Sequence, residues 1–283
     1  MQVLLDGVLI GIAYGLIALG MSLVYGVTNV LNVSHGSFFM LGGFVGYVTT
    51  VTFGFSPVYA LVLAVVSMFC LSALLEKFIV EGSLVNETNP IFVTLGIAIV
   101  VEQIANVIWG TYPKSSLPLF SGNWSLGSIF IPRETLFLAS LSFSLYGVLW
   151  IFINRTKDGR AIRMVAENPE LARSYGVDVK RTNVISFGLS GALAGLAGAL
   201  LSMTFLVFPD DQWNALIIAM VIVVLGGMGE LWGTLAAGII FGVVDTCTLY
   251  ISPNFATIDV LVLPLIILLV RPNGLLGRKA ERV

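Results

Sequence analysis

The chain is a succession of long apolar stretches separated by short polar ones. A bilayer core about 30 Å thick needs about 20 mostly apolar residues per helix, because backbone groups in lipid must be satisfied within their own segment. That rule places spans near 4–25, 37–53, 58–79, 91–109, 135–153, 183–207, 213–229, 233–251 and 257–270. The expected fold is all-α: a polytopic integral membrane helical bundle of 8–9 transmembrane helices, with residues 1–283 in a single transmembrane domain. Gly226-Gly227-Met228-Gly229-Glu230 breaks an otherwise apolar run and reads as a cytoplasmic turn or a re-entrant segment.

Composition agrees. Of 283 residues, 57% are hydrophobic and 11% charged, too few charges to cover a soluble surface, which carries about 25%. A net charge of −2 excludes the concentrated basic face that nucleic-acid binding requires. Cys70 and Cys247 both sit in apolar runs and read as small packing residues. Met1-Gln2-Val3 lacks a positive leader, and the first apolar run has span length, so no cleavable signal peptide is expected.

The placement of charge orients the bundle. Eleven of the fourteen basic residues lie in 154–182 and in the tail from Arg271, which makes both segments cytoplasmic by the positive-inside rule. Counting back five spans from the basic loop puts the N-terminus outside and the C-terminus in the cytoplasm.

Small residues recur at four-residue spacing, as in Gly7, Gly11 and Gly15, Gly191 and Gly195, and Gly229 and Gly233. Such faces allow close helix approach where lipid supplies no hydrophobic drive. They fit packing within the chain or contacts between two subunits.

Polar residues inside spans mark a bundle interior or a substrate route. Glu102 and Asp245 read either as pathway lining or as hydrogen-bonded structural residues, and Asp259 as a residue near a span end. His35, the only histidine, stands with Asn29, Asn32 and Ser34 where the first span gives way to the second. A polar break of this kind points to a pathway role for Asn32 and His35, with Thr94 supplying a hydroxyl to the same route. No carboxylate pair, metal-ligand spacing or nucleophile set is present, so no catalytic or metal site is expected.

The loop 154–182 carries order that orientation alone does not require. Residues 160–166 and 169–175 read as two short helices, the second with Asn168 as N-cap, Pro169 in the first position and Gly176 at the C-terminal cap. Glu170-Leu171-Ala172-x-x-x-Gly176 resembles the Glu-Ala-Ala-x-x-x-Gly loop by which permeases of ATP-binding-cassette importers meet their ATPase, with Leu171 departing at the second position. Gly159-Arg160-Ala161-x-Arg163-x-x-x-Glu167-Asn168-Pro169 around it is similar to the loop of the branched-chain amino-acid transporter permease family. So are Gly7-x-x-x-Gly11-x-x-Tyr14-Gly15, Asn32-Val-Ser-His35-Gly36, Pro90-x-x-x-Thr94-Leu95-Gly96 and Gly226-Gly227-x-Gly229-x-x-x-Gly233.

The resemblance covers nearly the whole chain and is closer to the smaller of the two permeases in such transporters. It implies a single permease domain with a coupling loop at 154–182, in the cell inner membrane. It further implies a second permease subunit, identical or different, two ATPase subunits, and an extracytoplasmic binding protein that delivers substrate. Asn168, Pro169, Glu170, Ala172 and Gly176 would form the ATPase-coupling element. The chain would be a transport subunit rather than an enzyme and bind no cofactor itself, with ATP and magnesium held by the partner ATPases. Branched-chain or related amino acids are the implied cargo, with urea, short amides or another small amino-acid-like solute as the alternative. A different class, an ion-coupled secondary transporter using Glu102 and Asp245, is motivated by those two carboxylates alone.

Overall fold

The computed structural model describes residues 1–83, 88–126 and 129–252, together with 262, 264–266, 269, 271 and 274–276. Most of the expected span 257–270, Asp259, and the basic residues Arg278, Lys279 and Arg282 lie outside the described residues.

In chain order the helices are α1 (Gln2–Thr28), α2 (His35–Tyr47), α3 (Pro57–Leu75), α4 (Asn89–Trp109), α5 (Arg133–Arg155), α6 (Lys157–Glu167), α7 (Pro169–Ser174), α8 (Val179–Leu201), α9 (Asp211–Gly226) and α10 (Leu231–Ile251). Among the described residues six helices are long and apolar enough to cross a membrane: α1, α3 with its continuation to Ser83, α4, α5, α8 and α10. The chain is therefore a polytopic helical bundle. Its few strand residues form a two-stranded hairpin, β1 (Asn123–Leu126) with β2 (Ile129–Pro132), in the loop before α5.

Local chemistry sets several boundaries. Proline opens α3, α4 and α7, where its missing N–H costs no helical bond. Asn29, left-handed at φ 54°, ends α1. The expected span 183–207 starts and stops too late: α8 begins at Val179, capped by the Asp178 side chain on the Arg181 N–H, and ends at Leu201. Beyond it the chain leaves the helix, and Val207 exchanges backbone hydrogen bonds with Lys114 instead. Gly226–Glu230 is a tight turn between α9 and α10, with Gly227 at φ 99° and Gly229 at φ 81°.

Helices α1 and α8 form the centre of the bundle, while α3 and α4 expose most of their apolar surface outward. A helix apolar all round is the pattern expected for both positions in a membrane protein. The centre is assembled by close backbone approach. Gly7 and Gly11 lie against Val243 and Gly238 of α10, Gly15 meets the Tyr146 hydroxyl of α5, and Gly191 and Gly195 admit Ser72 and Met68 of α3. Gly233 lies against Gly226, and Gly229 against Gly26. Cys70 is exposed on α3 rather than packed, and Cys247 is half-buried on α10.

Candidate functional site

Two features of the bundle bear on function: a junction of short helices at its middle, and a structured surface at its basic end.

The junction begins where α1 stops. Residues 29–34 turn back into the bundle in non-helical conformation, so that α2 starts at His35 alongside Ile17, eleven residues before the end of α1. At 1.5 Å per residue that is roughly 16 Å inside the bundle. Non-helical backbone at such depth must find partners within the protein. Thr28 Oγ1 accepts from the Val30 N–H (3.3 Å), Thr94 Oγ1 from the Val33 N–H (3.1 Å), and Asn32 Oδ1 from both the N–H (3.1 Å) and the hydroxyl (2.7 Å) of Ser34. The three candidates Asn32, His35 and Thr94 are thus brought together as the frame of one segment.

His35 is fully buried. Its Nε2–H donates to the Ile17 carbonyl (2.8 Å), which leaves Nδ1 to accept from the Ser190 hydroxyl (3.2 Å). The ring therefore ties the start of α2 to α1 and α8.

Helix α9 starts at the same level from the opposite direction. An added Cβ at Gly36 would overlap the Gln212 carbonyl, so the N-termini of α2 and α9 meet backbone to backbone. Ser37 Oγ donates to Gln212 Oε1 (2.6 Å), and Gln212 Nε2 donates to Glu102 Oε2 (2.6 Å) and to the Ala98 carbonyl (3.3 Å). Trp213 Nε1 donates to the same Glu102 oxygen (2.9 Å). Glu102 thereby joins α4 to both short helices.

Asp245 is not part of this junction. It follows Gly242, which packs on Gly7 and Gly11, near the start of α1, and it is half-buried with an interaction of its own.

Sequence reasoning missed Ser37, Ser190, Gln212 and Trp213. The run Asp210-Asp211-Gln212-Trp213-Asn214 at the head of an apolar stretch was the available signal. Beside the junction lies a cavity of about 470 Å³, walled by Tyr14 and Ile17 of α1, Phe39 of α2, and Asp211, Asn214 and Ile218 of α9.

At the basic end, Thr156 Oγ1 caps α6 on the Gly159 N–H (3.0 Å), and α6 turns Ile162 and Val165 inward. Asn168 Oδ1 accepts from the N–H groups of Glu170 (3.0 Å) and Leu171 (2.9 Å), which fixes the start of α7. The helix is closed by the Val177 N–H to the Ala172 carbonyl (3.0 Å) and by Gly176 at φ 80°. Ala172 alone of α7 is buried; Pro169, Glu170, Leu171, Arg173 and Ser174, with Tyr175 after them, face outward. Lys180 pairs with Glu81 (2.6 Å), joining the start of α8 to the helical continuation beyond α3.

A polytopic bundle with helices that start at mid-depth and an ordered surface at one end is the architecture of a membrane transport subunit. The chain belongs to the family described as the branched-chain amino acid transport system permease component, which matches residues 3–271. It is 27% identical to the high-affinity branched-chain amino acid transport system permease protein LivH of Salmonella typhimurium, over all of this chain and 97% of the relative. It is 25% identical to the corresponding permease BraD of Pseudomonas aeruginosa, over all of this chain and 98% of that one. Among solved structures, PsaBC from Streptococcus pneumoniae in complex with Fab shares the fold, with a TM-score of 0.51 and 13% identity over 95% of this chain and 91% of the other.

Proposed function

We propose that this chain is the permease subunit of an ATP-binding-cassette importer that brings branched-chain or related amino acids across the cell inner membrane. The observation that carries the reading is the full-length match to permeases named for branched-chain amino acid transport. The chain performs no chemistry. It would work with a second permease subunit, identical or different, with two ATPases that hold ATP and magnesium, and with an extracytoplasmic binding protein. The N-terminus lies outside, and the end bearing α6 and α7 faces the cytoplasm, as the concentration of Arg and Lys in 154–182 favours.

Helix α7 is the ATPase-docking element. It is capped at both ends, anchored by Ala172, and presents Glu170, Leu171 and Tyr175 to an incoming surface. Movement of the ATPases on binding ATP would reach α8 through the short 175–178 link and α1 through α6, and so shift the helices around the junction. Reciprocal linkage requires loaded binding protein to stimulate hydrolysis. The test is reconstitution of this chain with its co-purifying partners in proteoliposomes. ATP-dependent leucine uptake that persists with an uncoupler is the expected result; uptake that needs no ATPase, or that collapses with the uncoupler at constant ATP, refutes the reading.

A further inference from the structure

A solute that crosses the membrane through this chain needs a place within the bundle that receives it. The cavity beside the junction combines an apolar wall with carboxyl and amide groups at mid-depth. Its volume of about 470 Å³ lies within the roughly 300–1,000 Å³ of small-molecule sites.

Its walls come from the elements that the junction fixes. Tyr14 and Ile17 occupy one face of α1, three residues apart, and the Ile17 carbonyl is the one held by His35. Phe39 stands one turn after His35 on α2. Asp211, Asn214 and Ile218 form a single stripe along α9, and Gln212, within that stretch, is locked to Ser37 and Glu102. The remaining wall is the non-helical link between α8 and α9.

The wall carries non-helical backbone and polar side chains at membrane depth. Non-helical backbone at membrane depth survives only where protein buries it or where it borders water. Asn214 is exposed on an apolar helix with its side-chain amide bonded to the Asp211 carboxyl, and such a polar pair would be costly against hydrocarbon. Asp211 is half-buried at the cavity edge, with Oδ2 accepting from the Phe208 N–H (2.9 Å). That bond and the one from Asn214 fix the carboxyl without exhausting an acceptor that has about four lone-pair sites.

We propose that this cavity is a transient binding site for the translocated amino acid, with the α-ammonium on the Asp211 carboxyl and the Asn214 amide oxygen. The branched aliphatic side chain rests against Tyr14, Ile17, Phe39 and Ile218. The inference rests on the importer reading and adds the residues that receive the cargo. Carboxyl and amide oxygens select a cationic head, and the apolar wall selects a hydrocarbon tail. A neutral polar solute such as urea can donate to these oxygens but brings neither the positive charge nor the hydrocarbon tail.

The test uses the assembled transporter in nanodiscs. The two native cysteines are replaced by serine (Cys70→Ser, Cys247→Ser), and Thr204→Cys, on the cavity wall but outside the proposed ligand set, provides the reporter for a water-soluble maleimide. L-leucine at millimolar concentration is expected to slow labelling at least threefold, whereas 4-methylpentanoate, which lacks the ammonium, and urea leave it unchanged. In parallel, Asp211→Asn is expected to lower ATP-driven leucine uptake at saturating binding protein at least tenfold, with co-elution of the ATPase chains as the assembly control. Equal labelling with and without leucine, in a transporter that still imports leucine with ATP, overturns the cavity assignment and leaves the importer reading standing. Equal protection by leucine and 4-methylpentanoate overturns the role of Asp211. Absence of any ATP-driven uptake by the wild-type assembly removes both.

Discussion

The contact between Gly36 and Gln212 gives the sharpest prediction. In Gly36→Ala the new methyl group would overlap the Gln212 carbonyl and stand 3.2 Å from Leu216 Cβ. Because the neighbour is backbone, α2 and α9 must part by about 1 Å to restore contact distance. That displacement stretches the 2.6 Å bond from Ser37 Oγ to Gln212 Oε1 to about 3.6 Å, beyond hydrogen-bonding range. Overpacking costs about 1–3 kcal/mol and the lost bond about 1 kcal/mol more, roughly 2–4 kcal/mol together. For a chain of this size the melting temperature of the purified protein should fall by roughly 5–10 °C. Gly147→Ala is the matched control: an added Cβ there meets nothing within 4 Å, and the helix should gain slightly from the change. Thermal unfolding followed by size-exclusion fluorescence checks both. A Gly36→Ala protein that melts within 1 °C of the wild type refutes the claim that the two N-termini are in backbone contact.

Three further outcomes follow from the same geometry. Asn168→Ala removes both hydrogen bonds of the N-terminal cap of α7 and should cost about 1 kcal/mol locally, seen as faster hydrogen exchange at the Glu170 and Leu171 amides and restored by Asn168→Asp. Thr94→Val leaves the Val33 N–H without its acceptor inside the bundle and should destabilise by about 1–3 kcal/mol, whereas Thr94→Ser should not; unchanged melting of the valine variant contradicts the framing role. Glu102→Gln keeps an oxygen to accept from Gln212 or Trp213, so leucine uptake should persist and stay insensitive to an uncoupler at constant ATP. Loss of uptake in an intact assembly would instead favour ion coupling through that carboxylate.

The described helices follow eight of the nine apolar stretches, because hydropathy over about 20 residues is a local property that lipid enforces directly. The basic loop was equally legible. Asn168, Pro169 and Gly176 act within a few residues of themselves, and their chemistry caps a helix whatever surrounds it.

What the chain's middle does was less legible. Asn32, His35 and Thr94 stood out as polar residues in apolar surroundings; Asn32 bonds its neighbour Ser34, but the partners of His35 and Thr94 are Ile17, Ser190 and Val33, up to 155 residues away. Glu102 offered two readings in the sequence; only the fold supplies Gln212 and Trp213, 110 and 111 residues on, that occupy its carboxylate.

By itself, then, the sequence determined that this protein is a multi-pass helical membrane protein, where most of its spans lie, and which loop is ordered. Each of those follows from the solvent preference or capping chemistry of neighbouring residues. The tertiary structure alone decided that two short helices meet N-terminus to N-terminus at mid-depth beside a cavity. That meeting depends on Gly36 admitting the Gln212 carbonyl of a helix 176 positions further on. A glycine's lack of a side chain is visible in a sequence; what comes to fill the space it leaves is fixed only by the packing of the whole chain.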